Sequence, residues 1–118
     1  MAIVDHSKVK GEESAPGMRR KPIASKSTGA PGPTSLDVTM QPGAKIPFHT
    51  HPTDEIIFIH TGEVEARLGN EKRILTADNT IVATAGVPHG IVNNSKKPAR
   101  FIAFFPTLET KRDLVDEK

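Results

Sequence analysis

From Ser35 onward the side chains alternate between apolar and polar. Leu36, Val38 and Met40 fall on one face of an extended segment, with Asp37 and Thr39 on the other. Gln41-Pro42-Gly43 then supplies a turn. Apolar runs recur at 56–59, 64–68, 74–75, 81–83, 90–92 and 101–105. They are separated by turn signals at Thr61-Gly62, Gly69-Asn70, Asp78-Asn79, Ala85-Gly86 and Asn93-Asn94-Ser95. Short strands about 8–12 residues apart predict an all-β sandwich or barrel over residues 34–106.

The flanks read differently. Residues 1–33 are polar and broken by four glycines and four prolines, which excludes a long helix and predicts a solvated arm. A short edge strand near 21–26 is compatible with that arm. Residues 107–118 form a charged tail in which Leu108, Leu114 and Val115 predict a short helix with a charged outer face.

A chain of 118 residues has room for one domain that buries about two-thirds of its unfolded surface. It contains no cysteine, which removes disulfides, thiolate metal sites and cysteine nucleophiles together. The pI near 9.0 suggests nucleic acid, yet the basic excess lies in residues 1–33, with six Lys/Arg against three Asp/Glu. The remainder carries ten against eleven, and with no Trp or Tyr it lacks a stacking platform, so no nucleic-acid partner is expected. No apolar run approaches the ~18 residues of a membrane span. With no signal-peptide core in Met1–Lys10, a cytoplasmic location is expected.

Three of the five histidines join one carboxylate in a pattern that suits a metal. His49 and His51 are two residues apart, so on a strand both rings leave the same face. Glu55 follows the Pro52-Thr53-Asp54 turn and reaches the same space if the next strand resumes in phase. His89 comes from a separate hairpin. Three imidazoles and a carboxylate make a nitrogen/oxygen site for one divalent Fe, Mn, Ni, Co, Cu or Zn ion, whose identity the ligands leave open.

Residues 43–62 resemble the first cupin motif, with Gly43, His49, His51, Glu55 and Gly62 at its fixed positions. Residues 78–93 resemble the second through Gly86, His89 and Asn93, while Asp78 stands for a glycine and Thr84 for a proline. Asp78-Asn79 is expected to tolerate the left-handed backbone of a tight turn in glycine's place. The resemblance runs from about Leu36 to Pro106. It implies a double-stranded β-helix of the jelly-roll kind, with His49, His51, Glu55 and His89 as metal ligands.

Cupins with this ligand set include dioxygenases, isomerases, decarboxylases and lyases, so the fold alone does not name a reaction. Ile57 and Ile59 share parity with Glu55 and should line the interior. Phe48 precedes the first ligand, and the 101–105 strand holds no ionisable group. Small cupins that rearrange sugar acids tend to carry a carboxylate on that last strand, where Ile102 and Phe104 stand here. An apolar lining beside an open metal favours a nonpolar or aromatic substrate and dioxygenase-type chemistry, with no side-chain catalyst assigned. The alternatives are a metal-dependent isomerase or lyase and a non-catalytic small-molecule-binding or sensing cupin.

His60 has the opposite parity and should face away. Glu65 and Arg67 read as an exposed charged face, Lys45 as a solvated residue near the barrel mouth, Asn93 as a turn residue and Met40 as core. Small cupins commonly pair sheet edges or exchange N-terminal strands, so a homodimer is expected.

Overall fold

The structure is a computed structural model that describes residues 3–116. Its strands, numbered in chain order, form two antiparallel sheets. The first runs β1 (Glu12–Ala15), β2 (Met18–Ala24), β3 (Thr34–Met40), β10 (Ala99–Phe105), β5 (Glu55–Thr61) and β8 (Thr80–Ala83). The second runs β11 (Asp113–Leu114), β4 (Lys45–Thr50), β9 (His89–Val92), β6 (Val64–Leu68) and β7 (Glu71–Leu75). From β3 onward every connection except the β6–β7 hairpin passes from one sheet to the other. This is the jelly-roll arrangement, and it closes an interior between the sheets.

The alternation read from the sequence is the alternation of burial. On β5, Glu55, Ile57 and Ile59 are buried while Ile56, Phe58 and His60 are exposed. On β10, Phe101, Ala103 and Phe105 point inward, and β8 contributes Ile81 and Ala83. Removing one such Ile or Phe from water stabilises the fold by about 1.5–3 kcal/mol. The outer face of the first sheet is also partly apolar. Ile56 is the register partner of Val82 on one side and Phe104 on the other, and all three remain exposed.

The leading segment is more ordered than a solvated arm. β1 and β2 form a hairpin about Gly17, and β2 pairs along β3 from Met18↔Met40 to Ala24↔Ser35. Met18 is buried. The register slips after Pro22, which has no N–H to give the ladder. Arg19 and Arg20 stay exposed, because backbone pairing secures the strand without burying their charges.

The tail forms a strand where a helix was expected. Asp113 and Leu114 pair with Thr50 and His49, and the Val115 N–H donates to the Phe48 carbonyl at 2.9 Å. The free edge of β4 offers backbone partners, whereas Leu114 stays 70 % exposed and gives a helix no apolar face to bury. Asp78-Asn79 needs no left-handed residue either. Among the described residues only glycines have positive φ, and this turn is held by the Thr76 N–H donating to Asn79 Oδ1 at 2.9 Å.

Gly62 is a position where any side chain would force its neighbours to shift. Its φ is +82°, and a Cβ there would lie 2.7 Å from the Pro98 carbonyl and 2.8 Å from Ala99 Cα, both backbone atoms. Gly62→Ala is therefore expected to lower stability by about 2–4 kcal/mol through left-handed strain and overpacking. Urea unfolding of the two proteins checks this, and equal midpoints would contradict it.

Candidate metal centre

Local chain geometry brings the four predicted residues together. His49 lies on β4 and is the direct register partner of His89 at the start of β9. His51 follows one residue beyond β4 and returns to the face of His49. Glu55 opens β5 in the opposite sheet. The turn that carries the chain across is tied down at both ends: Gly86 N–H donates to the His51 carbonyl at 2.9 Å, and Ala85 N–H to Asp54 Oδ1 at 2.8 Å. One potential ligand atom from each of the four residues lies within 4.8 Å of the others, and none of the residues is more than 6 % exposed.

Each ring is oriented by a backbone carbonyl, which can only accept. His49 Nδ1 donates to Pro47 at 2.7 Å, His51 Nδ1 to Lys111 at 2.7 Å and His89 Nδ1 to Val87 at 3.0 Å. These bonds leave the Nε2 atoms facing inward. His49 Nε2 is 3.1 Å from His51 Nε2, and Glu55 Oε1 is 2.8 Å from His89 Nε2 and 3.4 Å from His51 Nε2. Such spacings are about those of neighbouring donors ~2.1 Å from one shared ion. Electron-pair donors packed this closely need a cation or a proton among them, so the residues fit a divalent metal.

The titration behaviour follows from the same crowding. Burial, with the neighbouring His89 and His51 charges adding to it, lowers the His49 pKa to about 4 despite the Pro47 carbonyl. For His51 burial is again the largest influence, yet hydrogen bonds to Glu55 and the Lys111 carbonyl outweigh it and raise the pKa. Burial also opposes the charge on Glu55, but hydrogen bonds from His51 and His89 prevail and lower its pKa.

The centre forms part of the wall of a cavity of about 430 Å³. Ile57, Ile91, Phe101, Ala103 and Phe105 are among its apolar lining. The Phe105 ring meets His51 edge-on, with centroids 4.9 Å apart. Charged residues also line it, with Arg20, Glu12 and Glu13 from the leading hairpin, Lys45 from β4 and Arg112 from the tail.

Other expectations divide. His60 is exposed, facing away from the centre, and Met40 is fully buried. Asn93 is also fully buried and does more than satisfy a turn. Its Nδ2 donates to the Met40 and Lys97 carbonyls, and its Oδ1 accepts from Ser95. Glu65 and Arg67 are half-buried rather than exposed: Glu65 sits 3.5 Å from Lys72 Nζ, while the Arg67 guanidinium stacks 4.2 Å over the Phe48 ring. Phe48 therefore packs under Arg67 and is not part of the cavity lining. On β10 the inward residues are Phe101, Ala103 and Phe105, while Ile102 is half-buried and Phe104 faces out.

Three contributors escaped the sequence. An extra residue bulges β4 between Ile46 and His49, which accompanies the turning of the Pro47 carbonyl onto its own strand's histidine. Gly90 lets β9 approach that bulge, since a Cβ there would lie 3.0 Å from the Ile46 carbonyl. The Lys111 carbonyl comes from the tail. The proline and glycine were visible signals of irregular strands, while a backbone carbonyl has no signature of its own.

The family model for the cupin domain matches residues 36–105, and the chain belongs to that family. Solved structures share the fold. The polyketide cyclase RemF from Streptomyces resistomycificus aligns with a TM-score of 0.84 and 21 % identity over 100 % of this chain and 87 % of its own. KdgF from Halomonas sp. aligns at 0.75 and 26 % identity, covering 90 % of this chain and 93 % of its own. An oxalate decarboxylase from Lactobacillus farciminis aligns at 0.80 and 21 % identity, but 92 % of this chain spans only 34 % of that protein. No curated protein matches the sequence.

The lowered His49 pKa sets a pH dependence for the metal-free protein. Between pH 6.5 and about 4 the unfolded chain binds a proton that folded His49 does not, so stability falls as acid is added through that window. The lowered Glu55 adds loss of the same sign at its acid end. The raised His51 acts elsewhere, its contribution complete below pH 6.5 and lost as pH rises through its folded value. Thermal melts should thus show Tm dropping from pH 6.5 to 4, and a level Tm would contradict a neutral His49.

Proposed function

We propose that this cupin is an enzyme that holds one divalent transition-metal ion on His49, His51, Glu55 and His89 and acts on a small organic substrate. The observation that carries the proposal is the position of four buried donors in the wall of a cavity that sets apolar side chains beside them. A bound ion supplies Lewis-acid polarisation of a substrate oxygen and, where it is redox-active, a route to dioxygen chemistry.

The chain's own residues limit the substrate. A two-carbon diacid, about the volume of three or four waters (~100 Å³), would leave most of a 430 Å³ cavity empty. A substrate with an apolar or aromatic body fits better, its oxygen-bearing end at the histidines and its flank against Ile57, Phe101 and Phe105. The ionisable groups lining the cavity besides the four donors come from the leading hairpin, Lys45 and Arg112, while Ile57, Phe101 and Phe105 offer no acid or base. The chain has no tyrosine or cysteine to serve as one. Chemistry centred on the metal, of dioxygenase type, is the first reading. A redox-neutral cyclisation or isomerisation is the second, favoured by the likeness to a polyketide cyclase over the whole chain.

Protein purified without chelators should carry about one equivalent of metal by elemental analysis. His51→Ala should weaken binding by more than about 100-fold, beyond what loss of an outer hydrogen bond costs. Wild-type protein with no stoichiometric metal would overturn the proposal.

Loaded anaerobically with Fe(II) and offered phenolic or enolisable aromatic carbonyl probes, the protein should consume oxygen and yield a product heavier by two oxygen atoms. An isomeric product formed without oxygen uptake selects the second reading. Saturable binding with every probe unchanged would identify a sensing protein instead.

A further inference from the structure

We propose that the C-terminal strap, residues 107–116, is a positioning element of the metal site, so that metal binding and docking of the strap stabilise each other. The proposal rests on the metal reading above. It starts from a difference among the three rings. His49 and His89 are each held by a carbonyl two residues earlier, Pro47 and Val87. The segment that carries the ring also orients it. His51 lies beyond the last residue of β4, and its Nδ1 donates to a carbonyl 60 residues away, that of Lys111.

The strap is fastened mainly through its backbone. Thr34 Oγ1 donates to the Thr107 carbonyl at 2.7 Å, Asp113 and Leu114 pair with Thr50 and His49, and Val115 N–H donates to the Phe48 carbonyl. Its residues 111–114 are exposed, so little apolar burial reinforces these bonds. A segment held this way opens with a low free energy, and a modest gain at His51 is enough to shift it.

The carbonyl acts on the ring in two ways. It holds the proton on Nδ1, which leaves the Nε2 pair for a metal, and it fixes the rotation of the imidazole. With the strap undocked, the ring loses its Nδ1 partner and keeps its contacts with His49, Glu55 and Phe105, none of which holds the proton on Nδ1. Reciprocity follows from linkage: if docking tightens metal binding, metal binding tightens docking by the same factor.

Two measurements on the full-length chain test this. Val115→Pro removes the donor to Phe48 and leaves every metal ligand in place. Zn(II) affinity by chelator competition should fall 10–100-fold, the range for lost outer-shell support. Gly62→Ala, remote from the strap, should keep its affinity and so controls for general destabilisation. In the wild-type protein, saturating Zn(II) should slow hydrogen exchange of the Val115 amide several-fold. Unchanged affinity in folded Val115→Pro, or unchanged Val115 exchange on zinc binding, would overturn the proposal. If Val115→Pro fails to fold, the wild-type exchange decides. Wild-type protein that takes up no zinc sinks the metal reading and the strap's role with it, whereas uptake with unaltered exchange sinks the strap's role alone.

Discussion

Three imidazole nitrogens and a carboxylate oxygen share one buried space between the two sheets, close enough for their electron pairs to repel. Holding them there requires every ring to be clamped from behind. The clamps are main-chain carbonyls at Pro47, Val87 and Lys111, and each depends on an irregularity of the chain: a bulge, the approach to a strand start, and a strap over an open edge. The regular parts of the barrel supply the walls, and the departures from regularity aim the ligands. Burial keeps His49 neutral, while hydrogen bonds to Glu55 and the Lys111 carbonyl favour His51 as the proton holder.

The donors and the frame were legible because both rest on period-two geometry. His49 and His51 share a face, and Ile57 and Ile59 follow Glu55 inward, as the spacing required. Parity failed where it had nothing to discriminate. Four of the five residues at 101–105 are large and apolar, so hydrophobicity could not say that Phe101 and Phe105 face the cavity while Phe104 faces out. At the termini the error was different in kind. The leading hairpin and the tail strand are secured largely by backbone pairing to β3 and to β4, and that pairing leaves little trace in side-chain pattern.

The cavity inherits this division. Its apolar wall comes from the barrel strands, whereas Arg20, Glu12, Glu13 and Arg112 come from the two terminal segments. The barrel thus provides the four donors and most of the apolar wall, and the termini provide most of the charge, Lys45 of β4 adding to it. Changes in the terminal segments can alter which molecules enter while the ligand set stays constant. This is one way in which a single fold comes to serve many reactions.

The ligand set also straddles the seam of the molecule. His49, His51 and His89 are placed by the five-stranded sheet, and Glu55 by the six-stranded one. An ion shared among them would act as a rivet through both layers. Glu55 and His89 are 34 residues apart and meet only after the sheets have packed face to face. Such a rivet would be set late in folding, and its influence would fall mainly on how slowly the protein comes apart. In a barrel without disulfides, an ion held there would add to kinetic persistence.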